Sequence, residues 1–182
     1  LATWHDEVQG AKRGPNTMRI FSAEGLRVAH LGDLGCGLTP EQAEALSGLD
    51  ALLIPVGGFY TIDAGQAKAV VDQLKPRVVV PMHYRGKDFG YEVIGPVEDF
   101  LALQSGVVRY EGNVLELTQD TPPDGGAHLS GLSLPGQPLP ALSASWDTFV
   151  PGRALFVPKM FTKFRPAFQV SFSFGCYPVS DL

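Results

Sequence analysis

Two continuous apolar runs, Asp50 to Val56 and Arg77 to Met82, constrain this chain more than any other feature. A strand with one wet face alternates polar and apolar residues; these runs do not, so both read as strands buried on two sides, the pattern of a sheet covered on both faces. The first run ends in Gly57-Gly58-Phe59-Tyr60. Asp63 then caps a helix whose apolar face is Ala67, Val70, Val71 and Leu74 at helical spacing, and Pro76 stops it before the second run begins.

The flanking segments continue this alternation. Thr17 to Phe21 and Leu26 to His30 are short β-rich runs around the turn composition Ser22-Ala23-Glu24-Gly25, which predicts a hairpin. Thr39-Pro40-Glu41-Gln42 supplies a capping Thr, Pro at the first helical position and early acidic charge, predicting a helix to about Leu46. A further helix is expected from Pro96 to Gln104, carrying Val97, Phe100 and Leu101, and Val107 to Tyr110 with Val114 to Leu117 are expected to close the unit as a hairpin. Strands alternating with helices give a layered α/β fold, in which ligands gather beyond the carboxyl ends of strands.

Two chemistry-bearing residues fall at such ends: Asp33 in His30-Leu31-Gly32-Asp33-Leu34-Gly35, and His83 in Pro81-Met82-His83-Tyr84. His5, in Trp4-His5-Asp6, is the third of the kind. Imidazole nitrogen and carboxylate oxygen suit zinc, iron or manganese, and a carboxylate can bridge two such ions. Each residue alone is more often a hydrogen-bonding or surface group than a ligand; together they point to a divalent metal site.

Composition limits what this site can belong to. With 182 residues, 45% of them hydrophobic, the chain can bury one core plus a tail. A net charge of -5 without clustered Lys and Arg argues against nucleic acid or anionic lipid as partner. Cys36 and Cys176 form no CxxC pair, so neither a disulfide framework nor a cysteine zinc site is expected and a reducing cytoplasm fits. No apolar run of about 18 residues predicts a membrane span. The chain opens at Leu1 rather than Met, as a processed or truncated piece would.

Four segments in order, His5-Asp6-Glu7-Val8-Gln9-Gly10, His30-Leu31-Gly32-Asp33-Leu34-Gly35, Ile54-Pro55-Val56-Gly57-Gly58-Phe59-Tyr60 and Pro81-Met82-His83-Tyr84, resemble the metallo-β-lactamase superfamily, in the branch of ascorbate-6-phosphate lactonase-like zinc-dependent hydrolases. The resemblance covers residues 1 to about 118 and implies the C-terminal half of an αββα sandwich. It carries the family's downstream metal ligands onto His5, Asp33 and His83, with zinc as one ion or two and iron or manganese as alternatives. It leaves His30 as a support for the site. The implied activity is hydrolysis of an ester, lactone or phosphoester by metal-bound hydroxide, with a small molecule as substrate. The family's H-x-H-x-D-H motif occurs nowhere in these residues. At most three ligands and weak metal affinity are therefore expected of this chain, and the alternative is a non-catalytic fragment or degenerate relative.

Within the turns, Gly57 and Gly58 are expected to let the backbone pass close to the site, Tyr84 to pack beside it, and Cys36 to be a free, partly buried thiol. A dinucleotide-binding turn at Gly32, Gly35 and Gly37 is disfavoured, because the spacing reverses the usual fingerprint and Asp33 would repel phosphate.

After about residue 120 the composition shifts to Pro, Ser and Leu. Residues 1–120 thus read as the domain and 121–182 as a linker and Phe-rich tail of unknown role, holding seven of the eleven Phe residues. Phe168, Val170, Phe172 and Phe174 alternate with polar residues as a strand does. An apolar sheet face left uncovered in a half sandwich would favour self-association, so a homo-oligomer is left open.

Overall fold

The two apolar runs pair in parallel: Ala51–Pro55 lies beside Val78–Met82, with Ala51 opposite Val78 and Pro55 opposite Met82, and every residue of both is buried. The computed structural model describes residues 1–87, 89–110, 114–119, 127–130 and 170–173. In chain order the elements are β1 (Ala2–Trp4), β2 (Pro15–Thr17), β3 (Arg19–Ala23), β4 (Leu26–His30), α1 (Pro40–Ala45), β5 (Ala51–Pro55), α2 (Ala64–Leu74), β6 (Val78–Met82), α3 (Val97–Leu101), β7 (Val107–Tyr110), β8 (Val114–Leu117), β9 (Ala127–Ser130) and β10 (Val170–Ser173).

Six strands form the main sheet in the order β3-β4-β5-β6-β9-β7. β3 and β4 form the expected antiparallel hairpin, Arg19 opposite His30 and Ala23 opposite Leu26, and β4, β5 and β6 run parallel. Helix α2 carries the expected Asp63 cap as a reciprocal box: the Gln66 N–H donates to Asp63 Oδ1 at 2.8 Å and the Asp63 N–H to Gln66 Oε1 at 3.0 Å. It ends on Lys75 in the left-handed conformation, φ 48°, before Pro76. Helix α1 begins at the Thr39 cap in the same way.

Side chains alternate across a strand, so the sheet has two apolar faces. On one, Leu52, Ile54 and Val79 meet the expected helix residues Ala67, Val70, Val71 and Leu74, together with Val97, Phe100 and Leu101. On the other, Ala51, Leu53, Val78, Val80 and Met82 meet Leu115 and Leu117 of β8. Each large side chain so buried contributes about 1.5–3 kcal/mol.

Two strands pair otherwise than the sequence predicts. β7 and β8 are not a hairpin: β7 pairs in parallel with β9, Val107 opposite Ala127, while β8 pairs antiparallel with β10, Leu117 opposite Val170. The cause is the period-two pattern of β8. Its Leu115 and Leu117 are buried against the second face of the sheet, where a strand continuing the sheet edge beside β7 would not place them. The stretch read as linker also contains β9, a strand of the main sheet. Of the alternating Phe pattern, Val170–Ser173 is a strand as expected; Phe168, Phe174 and Cys176 lie outside the described residues.

Candidate metal centre at the carboxyl ends of two strands

Because β4 and β6 flank β5 in parallel, the turns that leave them emerge at one edge of the sheet. Asp33 follows β4, His83 follows β6, and the two meet there: His83 Nδ1 lies 3.1 Å from Asp33 Oδ1, the side chains 16% and 25% exposed. A carboxylate and an imidazole this far from bulk water interact more strongly than a surface pair would.

The backbone around each residue is held for this purpose. His83 has φ 53°, a left-handed conformation that costs a non-glycine residue free energy and persists where its surroundings impose it. Part of that surrounding is Gly57. A Cβ there would collide with the His83 carbonyl oxygen, so only glycine fits, as the sequence suggested. On the other side, the Val56 N–H donates to the Met82 carbonyl at 3.0 Å and the Arg85 N–H to the Gly95 carbonyl at 2.9 Å, fixing the chain before and after His83.

The Asp33 turn is held by Asn16, a residue that sequence reasoning missed. Its buried side chain accepts from the Asp33 N–H at 3.0 Å and donates to the Leu31 carbonyl at 2.8 Å. Nothing in an isolated Asn marks this use, because it depends on β2 being folded back against the turn.

His5 reaches the same edge through β1. The Gly35 N–H donates to the Trp4 carbonyl at 3.0 Å, and Gly35 packs so closely on the His5 backbone that a Cβ would overlap it. Asp6 beside it was also missed. Its carboxylate, 3% exposed, accepts four backbone N–H bonds: from Val8 at 2.9 Å and Gly10 at 2.8 Å on Oδ1, and from Lys12 at 3.0 Å and Arg13 at 2.7 Å on Oδ2. Burial raises the Asp6 pKa, but these four bonds outweigh it and hold the carboxyl below its ordinary value.

Asp33 is likewise more acidic than an ordinary carboxyl. Burial opposes this, and the hydrogen bond from His83 with the positive influence of His83, His5 and His30 overcomes it. The four residues therefore share one electrostatic environment. His30 is pushed down to about 4, first by burial and then by His83 and Arg19, so it is neutral near pH 7. Its Nδ1 accepts from the Gly32 N–H at 2.9 Å, which leaves the ring proton on the enclosed Nε2.

Tyr84 packs against the helix-side core and meets Phe89 edge-on at 5.9 Å. The Cys36 thiol is free and half-buried, with Sγ 3.5 Å from Thr3 Oγ1 and 3.8 Å from the Trp4 carbonyl oxygen.

Two imidazoles and a carboxylate are the donor chemistry of a zinc, iron or manganese site. In number they fall short. Among the described residues no group of three or more His, Cys, Asp or Glu side chains is arranged to hold a metal ion; Asp33 and His83 touch, while His5 joins them through its charge influence on Asp33.

Residues 1–83 match the β-lactamase superfamily domain. A UPF0173 metal-dependent hydrolase of Thermoplasma acidophilum is 33% identical over 110 residues, 60% of this chain and 47% of that protein. A second, from Staphylothermus marinus, is 31% identical over 81 residues, 44% of this chain and 34% of that protein. Among solved structures, a Thermotoga maritima protein described as a Zn-dependent hydrolase of the metallo-β-lactamase superfamily is 43% identical, with TM-score 0.58, covering 64% of this chain and 59% of its own. The chain thus spans less than half the length of these two curated relatives. Over residues 1–83 the chain is similar to the β-lactamase superfamily domain, and its fold is similar to that of the Thermotoga protein.

Proposed function

We propose that the protein is a metal-dependent hydrolase and that His5, Asp33 and His83 are the metal ligands this chain contributes. The observation that carries the reading is the contact of Asp33 with His83, two residues 50 positions apart by their numbering, brought to 3.1 Å at one sheet edge. Zinc is the proposed ion, on the strength of two imidazoles with one carboxylate. When bound, a divalent ion lowers the pKa of a coordinated water from about 15.7 towards 7 and polarises a substrate carbonyl or phosphoryl oxygen.

This chain's residues orient and retain. Asn16 holds the Asp33 turn, Gly57 admits the His83 carbonyl, and His83, with His5 and His30, favours the ionised form of the Asp33 carboxylate against its burial. Esters, lactones and phosphoesters are the proposed substrates. Among the described residues no helix is long and apolar enough to cross a membrane.

That no three His, Cys, Asp or Glu side chains are arranged to hold a metal ion among the described residues favours one other reading, a chain that binds metal weakly and catalyses nothing alone. Hydrolysis of p-nitrophenyl acetate and bis(p-nitrophenyl) phosphate with and without added zinc separates the two. The hydrolase reading expects zinc-dependent turnover that His83→Ala abolishes; turnover indifferent to zinc and to that substitution would overturn it.

A further inference from the structure

A cleft of about 320 Å³ opens beside the proposed metal ligands. Its floor includes Asp6, next to His5, and Gly35, which rests on the His5 backbone. Its rim carries Lys12, Arg13, Phe59 and Tyr60. The aromatic pair is open to solvent: Phe59 is 60% exposed and Tyr60 42%, the rings packed edge to face at 4.7 Å. Phe59 also stands at φ 59°, a conformation an L-residue adopts at a cost. Apolar rings held in water add nothing to the core, and an occupant that covers them would take that apolar surface out of water.

The charge on this rim is equally specific. The Arg13 guanidinium lies 5.5 Å from the Tyr60 ring centre and 5.9 Å from that of Phe59, within the range of cation–π attraction. Among the described residues neither Lys12 nor Arg13 forms an ion pair. The nearby carboxylates are engaged: Asp6 by four backbone amides, Asp63 by the cap of α2, and Glu7 by Gln66 Nε2 at 3.0 Å. Two cations are therefore left to face the cleft, one of them prepositioned on aromatic rings. Asp6 does the prepositioning, because the amides it binds include those of Lys12 and Arg13 themselves.

We propose that this cleft is a binding site for a small molecule carrying one oxyanion, carboxylate or phosphoryl, which Arg13 and Lys12 grip while its apolar part covers Phe59 and Tyr60. Arginine's planar fork suits either anion. If the adjoining edge is hydrolytic, the same site selects anionic, partly apolar substrates; that clause rests on the proposed function, whereas binding itself does not.

The test measures binding without turnover. The full chain, stripped of metal by a chelator that is then dialysed away, is titrated by ligand-observed NMR with phenyl phosphate, benzoate and benzyl alcohol. Both oxyanions are expected to bind saturably, with benzyl alcohol at least about tenfold weaker, the scale of a charge-assisted contact. The tighter of the two oxyanions identifies the source, phosphoryl or carboxylate. Arg13→Ala should weaken binding about tenfold and Lys12→Ala several-fold, with Arg13→Lys retaining part of it. Near-UV circular dichroism checks that each variant folds, and if Arg13→Ala does not, Lys12→Ala and Tyr60→Leu decide. No binding of either oxyanion, equal binding of benzyl alcohol, or folded variants that bind like the wild type would each overturn the proposal. Loss of hydrolysis alone would not touch it.

Discussion

Gly57 approaches His83 so closely that its missing Cβ is the space the His83 carbonyl oxygen occupies. The contact joins the turn after β5 to the turn after β6, next to the point where His83 meets Asp33. Sheet topology brings the two site residues to one edge, and this glycine sets how near the second can come.

Gly57→Ala is therefore expected to cost about 1–3 kcal/mol, the range of forced overpacking. It should also weaken zinc binding more than a core substitution of equal cost. Chemical denaturation and zinc titration of the same variant check the two effects together.

Asp6→Asn keeps the shape of the side chain and removes the charge that four backbone amides share. The thermal midpoint should fall. Because the folded pKa lies below the ordinary 3.8, the stability Asp6 supplies is present above that value and lost as pH falls through the folded one. The wild type should thus lose more stability under acid than Asp6→Asn, as melting curves across the acid range will record.

His30 titrates in the same direction by another route. Its folded pKa of about 4 lies below the ordinary 6.5, so the unfolded chain takes up the proton first. Folding should weaken as pH falls from 6.5 towards 4, by roughly 3 kcal/mol in all at about 1.4 kcal/mol per pKa unit. His30→Gln is expected to flatten this part of a urea-denaturation profile, and a slope left unchanged would contradict the assignment.

Asp50 joins three segments: it accepts from Arg77 Nη1 at 2.6 Å and from the Arg27 N–H at 2.7 Å, while Arg77 Nη2 donates to the Gln119 carbonyl at 2.8 Å. The Asp50 and Arg77 side chains are only 16% and 23% exposed. Asp50→Ala should destabilise the chain by about 1–3 kcal/mol, since both donors lose their acceptor. Phe100→Ala, in the core beneath the helices, should cost about 3–5 kcal/mol. Both values are read from urea midpoints.

Much of this molecule was legible in the sequence because its signals are local. The apolar runs of β5 and β6, the Thr39 and Asp63 caps and the apolar face of α2 each follow from a few neighbouring residues. Asp33 and His83 could be paired because topology alone sends both to one edge. What the sequence concealed depends on distant contacts. β7 and β8 look like a hairpin until the burial of Leu115 and Leu117 draws β8 to the other face. Asn16 and Asp6 are ordinary polar residues until the chain folds back to supply their partners, and Arg13 joins Phe59 and Tyr60 only once the loop around Asp6 is closed.

Whether Asp33 and His83 with His5 hold a metal ion is decided by equilibrium dialysis of the full chain against zinc, with bound metal read by elemental analysis. Zinc is expected to be bound by the wild type and lost in folded His83→Ala and Asp33→Ala. Zinc uptake that is the same in all three proteins would contradict this assignment.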